Sequence, residues 1–267
     1  MVSSPSVSND LSLLSWNILA PCWVLQDWYP STYDLANDHR SRLNSILTTI
    51  QSFAYDIILI QEAQEDQLEL FIERLGQQYR LEYAPNNSTM STKSNGLLTL
   101  IRKSYHYASE IQVINDILDL QRGDALQIII IPSKNLYLLN LHLDYRHTVS
   151  QSKLIQERCD VLLGGQRAIS LMAGDFNAEI RDHQKFGWTN YHYAFPDSTD
   201  IGQIPTYYSD PKYIWSNMII DHIVYDPIQL LMIQCGKAWH TLDRTLEESL
   251  KNFGSDHIYI WATFRFS

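Results

Sequence analysis

Ala168-Ile169-Ser170-Leu171-Met172-Ala173-Gly174-Asp175-Phe176-Asn177 is the stretch that decides how this chain is read. An apolar run carries into a glycine, and a carboxylate and a carboxamide follow, two residues apart. That order is expected where a buried strand reaches the open edge of a sheet and presents polar side chains to a ligand. Taken alone, Asp175-Phe176-Asn177 reads equally as a turn or a helix start, because Asp and Asn cap helices well. Its weight comes from recurrence elsewhere in the chain.

Leu11-Ser12-Leu13-Leu14-Ser15 leads into Trp16-Asn17, Tyr55-Asp56-Ile57-Ile58-Leu59-Ile60 into Gln61-Glu62, and Leu136-Tyr137-Leu138-Leu139-Asn140-Leu141 into His142. Toward the C-terminus the order reverses. Asp221-His222 precedes Ile223-Val224-Tyr225, and Ser255-Asp256-His257 precedes Ile258-Tyr259-Ile260-Trp261. The reversal is expected of strands that run the opposite way. One sheet of mixed parallel and antiparallel neighbours would gather all of these clusters at one edge.

Between the runs, residues 38–53 carry Leu43, Ile46, Leu47 and Ile50 at helical spacing, and residues 64–78 carry Leu68, Phe71, Ile72 and Leu75. Residues 150–163 repeat the pattern with Leu154, Ile155, Cys159 and Leu162. Further strands are expected at 96–101, 127–131 and 230–234. Helices alternating with strands, and several strands in succession in the middle, predict an α/β fold of two packed sheets with helices on both outer faces.

At 267 residues, with 45% hydrophobic residues, 10 glycines and 9 prolines, nothing reads as a linker, and residues 11–267 are expected to form one domain behind a flexible stretch at 1–10. That stretch lacks the basic start and apolar core of a signal peptide. No segment approaches the roughly 20 apolar residues of a membrane span. The cysteines Cys22, Cys159 and Cys235 are odd in number and unpaired in spacing, as expected of reduced thiols in a cytoplasmic setting. No sequence repeat is visible. A net charge of −10 argues against a broad surface that wraps duplex nucleic acid, since neutralising phosphates needs cations. Lys93, Arg102, Lys103, Arg146, His147 and Lys153 are the candidates for a local basic patch; their alternative reading is ordinary solvated surface.

Glu62, Asp175, Asn17, Asn177 and Asp256 offer hard oxygen donors without a thiolate, a set that selects Mg²⁺ or Mn²⁺ over zinc. His257 beside Asp256, with Asp221 on a neighbouring strand, supplies an imidazole that a carboxylate can orient. His142 and Asn177 can donate hydrogen bonds to a non-bridging phosphoryl oxygen. Together these are the requirements of phosphodiester hydrolysis: charge neutralisation, a positioned water, and donors for the pentacoordinate oxygens. Each residue also has a structural reading: His142 a core histidine, Asn17 a turn residue, Glu62 the charge at a helix start, and Ser255-Asp256-His257 a strand-entry turn. All of them must hold at once to defeat the joint one.

Trp16-Asn17, Gln61-Glu62, Asn140-Leu141-His142-Leu143, Gly174-Asp175-Phe176-Asn177, Ile220-Asp221-His222-Ile223 and Ser255-Asp256-His257 occur in the order that marks the endonuclease/exonuclease/phosphatase superfamily. The chain resembles that superfamily from about Leu11 to Phe264. The resemblance implies a four-layer α/β sandwich and Mg²⁺-dependent (or Mn²⁺-dependent) cleavage of a phosphate ester. It also implies a metal held by Glu62 with Asn17 and Asp256 nearby. Asp175 would position or activate the water, Asn177 and His142 would hold the phosphate, and Asp221 would pair with His257, as base or as phosphate-binding cation.

Within the superfamily, Trp16-Asn17-Ile18-Leu19-Ala20-Pro21 and Asp38-His39-Arg40-Ser41-Arg42 are similar to the deadenylases, 3′-to-5′ exoribonucleases that trim poly(A). The leucine-rich module of some deadenylases is absent, and Ile219-Ile220-Asp221-His222 lacks the arginine and tyrosine that commonly flank that aspartate. The expected partner is therefore a phosphodiester substrate such as single-stranded RNA, acted on by a monomer. A phospholipid or inositol-phosphate esterase, and an inert binding module of the same fold, stand as alternatives. Trp23, Trp28, Tyr207 and Trp215, with Tyr29 and Tyr208, lie in loops beside the motifs, where rings can stack on bases or simply pack a lid.

Overall fold

The computed structural model describes residues 9–87, 95–165, 169–179, 188–196, 198–213 and 216–267. Two six-stranded sheets face each other. In the first, the order is β11 (Leu230–Lys237), β12 (Ile260–Phe266), β1 (Asp10–Asn17), β2 (Ile57–Ala63), β4 (Gly96–Arg102), β3 (Tyr79–Pro85). In the second it is β5 (Gln112–Asp119), β6 (Asp124–Ile131), β7 (Leu136–His142), β8 (Leu171–Asp175), β10 (Asp221–Tyr225), β9 (His192–Tyr193). The sequence clusters therefore line the edges of two sheets instead of one. Asn17, Glu62 and His257 come from the first, His142, Asp175 and Asp221 from the second.

Each sheet is centred on a parallel pair, β1 with β2 and β7 with β8, and every other neighbour is antiparallel. The same arrangement appears twice without any sequence repeat. Helices α1 (Tyr33–Asn37) and α2 (His39–Gln51) connect the first pair and α4 (Thr148–Leu163) the second; α3 (Leu68–Leu75) follows β2, and α5 (Leu246–Phe253) precedes β12.

Side-chain alternation explains the layering. Leu11 and Leu13 of β1, Ile57 and Leu59 of β2, Leu136 and Leu138 of β7, and Leu171 and Ala173 of β8 meet between the sheets. The opposite face of the first sheet buries Ile58 and Ile60 against Leu43, Ile46, Leu47 and Ile50 of α2 and Phe71 and Leu75 of α3. Leu139 and Met172 of the second sheet pack on Ile155 and Cys159 of α4. Each fully buried Leu or Ile stabilises this stack by roughly 1.5–3 kcal/mol. The layers run helix, sheet, sheet, helix, as expected from the sequence.

Near the functional edge the interface between the sheets turns polar. Gln61 Nε2 donates to Asn140 Oδ1 at 2.8 Å, Asn140 Nδ2 to Gln127 Oε1 at 3.0 Å, and Thr99 Oγ1 to the same Gln127 oxygen at 2.9 Å. Buried amides need partners, so this chain of bonds fixes how the two sheets are set against each other just below the catalytic edge.

Several boundaries differ from the sequence reading. Helix α2 begins at His39 because Asp38 caps it, accepting from Ser41 N at 3.1 Å. The helix expected at 64–78 splits into a 3-10 turn, Glu65–Gln67, and α3, which stops before Gly76. Asp221-His222 belong to β10 itself. Helices α1 and α5 and strands β3, β5 and β9 lie outside the apolar runs and helical spacings of the sequence. Arg80 and Glu82 interrupt β3, and Asn115 and Asp116 interrupt β5, so neither shows an apolar run. None of the three cysteines is in a disulfide. No helix among the described residues is long and apolar enough to cross a membrane.

Candidate active site

The strands deliver the site residues in two ways. On β1, β7 and β8, alternation points Asn17, His142 and Asp175 into the space between the sheets, in step with Leu13, Leu138 and Ala173. His142 and Asp175 are direct register partners. Gly174 allows this close approach, because a Cβ there would lie 1.8 Å from Leu141 O.

Glu62 arrives differently. Alternation on β2 gives the inward place to Gln61, and Glu62 joins the cluster only because its φ is 62°, at a register shift between Gln61 and Ala63. Among the described non-glycine residues, left-handed φ occurs at Leu19, Glu62, Asn135 and Asn177, and three of these four belong to the site. Such conformations cost about 1–3 kcal/mol each and persist where surrounding bonds over-determine them. Here the bonds are visible. Ala20 N donates to Glu62 Oε2 at 2.8 Å, Asn17 Nδ2 to Glu62 Oε1 at 2.9 Å, and Leu19 N to Asn17 Oδ1 at 3.0 Å.

Asn17 bridges the two sheets, since its Nδ2 also donates to Asp175 Oδ2 at 3.0 Å. The Leu19 amide orients the carboxamide, so its donor end faces the acids. Asn17, expected beside the metal, clamps the two carboxylates through its Nδ2. Asp175 Oδ1 accepts from Asn177 N at 2.8 Å, while Asn177 Nδ2 donates to Leu143 O at 2.7 Å, tying the ends of β7 and β8 together. His142 Nε2 stands 3.7 Å from Glu62 Oε1 and 3.6 Å from Asp175 Oδ2, beyond hydrogen-bond length from both.

Asp221 faces Asp175 directly across β8 and β10. Two acids opposite each other repel, and the His257 ring lies against both. Its Nδ1 is 2.8 Å from Asp221 Oδ2 and its Nε2 3.8 Å from Asp175 Oδ2. Burial opposes the charged imidazole, yet Asp221 first, then Asp175 and Asp256, hold it well above its ordinary value. Burial raises Asp175, reinforced by Asp221, and burial also raises Asp256. Thr206 Oγ1 accepts from Asp221 N at 3.0 Å, and Asp221 Oδ1 is buried without a partner.

Asp256 lies apart from the other acids' convergence. Tyr29 OH donates to its Oδ2 at 2.8 Å. The groups that converge within 4.8 Å are Glu62 with His142 and Asp175, and Asp175 with Asp221 and His257. This donor set fits a hard divalent cation: Glu62, Asp175 and Asp221 are all buried, and unneutralised buried carboxylates are expensive. Glu62 and Asp175 share one Asn17 amide group and would hold the ion between them.

One residue that sequence reasoning treated only as part of a motif proves central. Arg42 is 4% exposed, and its guanidinium donates to Gly254 O at 2.7 Å, Leu19 O at 3.0 Å and Ile18 O at 3.3 Å. It joins the end of β1 to the turn before His257. Gly254, at φ 77°, is required there because a Cβ would meet Arg42 O at 2.4 Å. The signal was present in the sequence: Arg42 sits four and eight residues before Ile46 and Ile50, on the buried face of α2.

The aromatic residues divide. Tyr207 lies against His257, ring centres 5.1 Å apart, and borders the site. Tyr208 is fully buried against Trp239, and Tyr29 is buried over Asp256, so neither is an open stacking surface. Trp23 and Trp28 pair with each other on the loop after β1. Trp215 and Lys93 fall outside the described residues. The remaining cations form no single patch. Arg102 and Lys103 bond Ala54 O and Gly76 O, at the end of β4 opposite Gly96 and about 20 Å along the strand from it. Arg146 instead follows His142.

The two stacked sheets thus meet at a buried edge of acids, amides and imidazoles. A family model described as Endonuclease/Exonuclease/phosphatase family matches residues 14–257, and the chain belongs to that family, whose members hydrolyse phosphate esters and generally use divalent metal ions. No curated protein matches the sequence. Similar solved structures include ANGEL2, described as a 2′,3′-cyclic phosphatase in complex with adenosine-2′,3′-vanadate, at 18% identity, TM-score 0.68 and 96% coverage of both chains. The human Nocturnin catalytic domain with bound sulfate is 19% identical, with TM-score 0.61 over 97% of this chain and 96% of that one. D. rerio TDP2 complexed with a single-strand DNA product is 14% identical, with TM-score 0.61 over 96% and 98%. At these identities the likeness speaks for the fold.

Proposed function

We propose that this chain is a Mg²⁺- or Mn²⁺-dependent phosphodiesterase that shortens single-stranded RNA from its 3′ end, acting as a monomeric cytoplasmic enzyme of one domain over residues 11–267. The observation that carries the reading is a pair of triads joined at Asp175, Glu62 with His142 and Asp175, and Asp175 with Asp221 and His257, at the edge where the two sheets meet. A deadenylase-like start, Trp16 to Pro21, supports the RNA end as substrate.

Glu62 and Asp175 would hold the cation, which would supply Lewis acidity toward the phosphoryl oxygens. The chain's own groups do the rest. Asp175, oriented by Asn17 Nδ2 and Asn177 N, places and polarises the attacking water. His142 Nε2, uncommitted to either acid, donates to a non-bridging oxygen. His257, fixed by Asp221, exchanges a proton with the reacting oxygens from Nε2. Tyr29 OH holds Asp256 Oδ2.

The test is digestion of 5′-labelled oligo(A) with Mg²⁺, with and without EDTA, for wild type and Asp175→Ala. A ladder that shortens from the 3′ end, abolished by EDTA and by the substitution, is expected. Intact oligomer in wild type, or cleavage indifferent to both, rejects the reading. A second reading, opening of a terminal 2′,3′-cyclic phosphate, is favoured by the fold likeness to ANGEL2. Including cyclic-phosphate ends, sphingomyelin and inositol phosphates as substrates separates these and the phospholipid-type alternative.

A further inference from the structure

The loop between β1 and α1 is fastened to the acidic site at both ends. Ala20 N holds Glu62 Oε2 at 2.8 Å, and Tyr29 OH holds Asp256 Oδ2 at 2.8 Å. Beyond Tyr29 a second fastening follows, with Ser31 N and Thr32 Oγ1 donating to Asp210 Oδ2 at 2.9 Å each. Between the anchors lie Trp23 and Trp28. Their indole planes are within 11° of parallel and their ring centres 6.3 Å apart, and Trp28 is 38% exposed. Trp23 ends a 3-10 turn that begins one residue after Ala20, so it stands only about 6 Å of backbone rise from the Glu62 contact. The paired rings therefore sit on the loop whose two ends bond Glu62 and Asp256.

Charge says what such a surface takes. The chain carries −10 and its site is built on buried carboxylates, so attraction to a long phosphate backbone is weak. Base stacking needs no charge, and each stacked base strengthens binding by about tenfold or more.

We propose that the Trp23–Trp28 pair seats the base of the terminal nucleotide of a single strand, making stacking at the chain end, in place of backbone contact, the source of substrate affinity. This rests on the phosphodiesterase reading and adds to it the class of group recognised beside the scissile ester. Duplex ends, whose bases are already stacked and paired, are excluded by the same chemistry.

Two measurements on the full chain test it. The first compares kcat/KM for the dinucleotide ApA with that for an analogue lacking both bases, in wild type, Trp28→Leu and Trp28→Tyr. Wild type prefers ApA; Trp28→Leu lowers the ratio of the two values by about tenfold, mainly through the KM for ApA, and Trp28→Tyr restores it. A ratio unchanged by Trp28→Leu overturns the proposal. The second needs no turnover: uncharged adenosine quenches tryptophan fluorescence in wild type, and quenching is lost in Trp28→Leu. Quenching without hydrolysis of either substrate sinks the phosphodiesterase reading and leaves the stacking seat standing. Hydrolysis with no adenosine quenching does the reverse.

Discussion

Asp175 and Glu62 reach the same point by unlike routes. On β8, Leu171 and Ala173 face the other sheet, and Asp175 follows by plain alternation. On β2 the same rule selects Gln61, and Glu62 enters only through a left-handed backbone secured by Ala20 N and Asn17 Nδ2. Half of the site is a by-product of strand periodicity, whereas the other half is a strained insertion that its neighbours must hold in place. The regular half should therefore respond to substitution through chemistry, and the strained half through stability as well.

The largest effect is expected on the regular side. Asp175→Ala should lower kcat/KM on a phosphodiester by roughly 10³–10⁴-fold while leaving the circular dichroism spectrum unchanged. A loss below tenfold would remove Asp175 from the chemistry.

Arg42 supports the strained side through the carbonyls of Ile18, Leu19 and Gly254. Arg42→Met should cost about 3 kcal/mol in chemical denaturation, since it leaves three buried carbonyls without their donor. Wild-type stability in that variant would mean that the guanidinium clamp holds nothing.

The backbone contrast has its own signature. Glycine accepts a left-handed φ that alanine resists, so Glu62→Gly should be more stable than Glu62→Ala by about 1 kcal/mol. At Asp175, whose φ is not left-handed, the order should invert. Melting temperatures of the four variants without added metal decide it; the same order at both positions would dissolve the contrast.

The smallest effect concerns the loop that follows the strained half. Burial disfavours the Asp210 charge, but the bonds from Ser31, Thr32 and Lys212 outweigh it and hold the carboxyl below its ordinary value. A group depressed in the folded state stabilises above its unfolded pKa, and that contribution is lost as pH falls through the folded value. Asp210→Asn should thus cost about 1 kcal/mol at pH 7 and a shrinking amount in increasingly acid buffer. A cost independent of pH would show that the ionised carboxylate is not what fastens the loop.

Much of this was legible beforehand because apolar runs and polar punctuation follow the sheet directly. The ends of β1, β2, β7 and β8 were placed within a few residues, and the helix faces around Leu43 and Ile155 were read from spacing. What could not be read was long-range. Nothing local says that β1 and β2 lie in one sheet and β7 and β8 in another, that Asn17 spans both, or that Asp256 is diverted to Tyr29. Strand alternation alone would have chosen Gln61 over Glu62; only the ordered set of motifs pointed to the acid. Strands β3 and β5 carry polar residues, Arg80 and Glu82 in one and Asn115 and Asp116 in the other, where an apolar run would mark a strand.

The central claim is that Glu62 and Asp175, brought together from opposite sheets, grip one divalent cation. Anomalous diffraction from crystals soaked in Mn²⁺ tests it most directly. A single strong peak within coordination distance of both carboxylates is expected, absent from Glu62→Gln. No peak between them, or manganese bound elsewhere in the wild type, would contradict it.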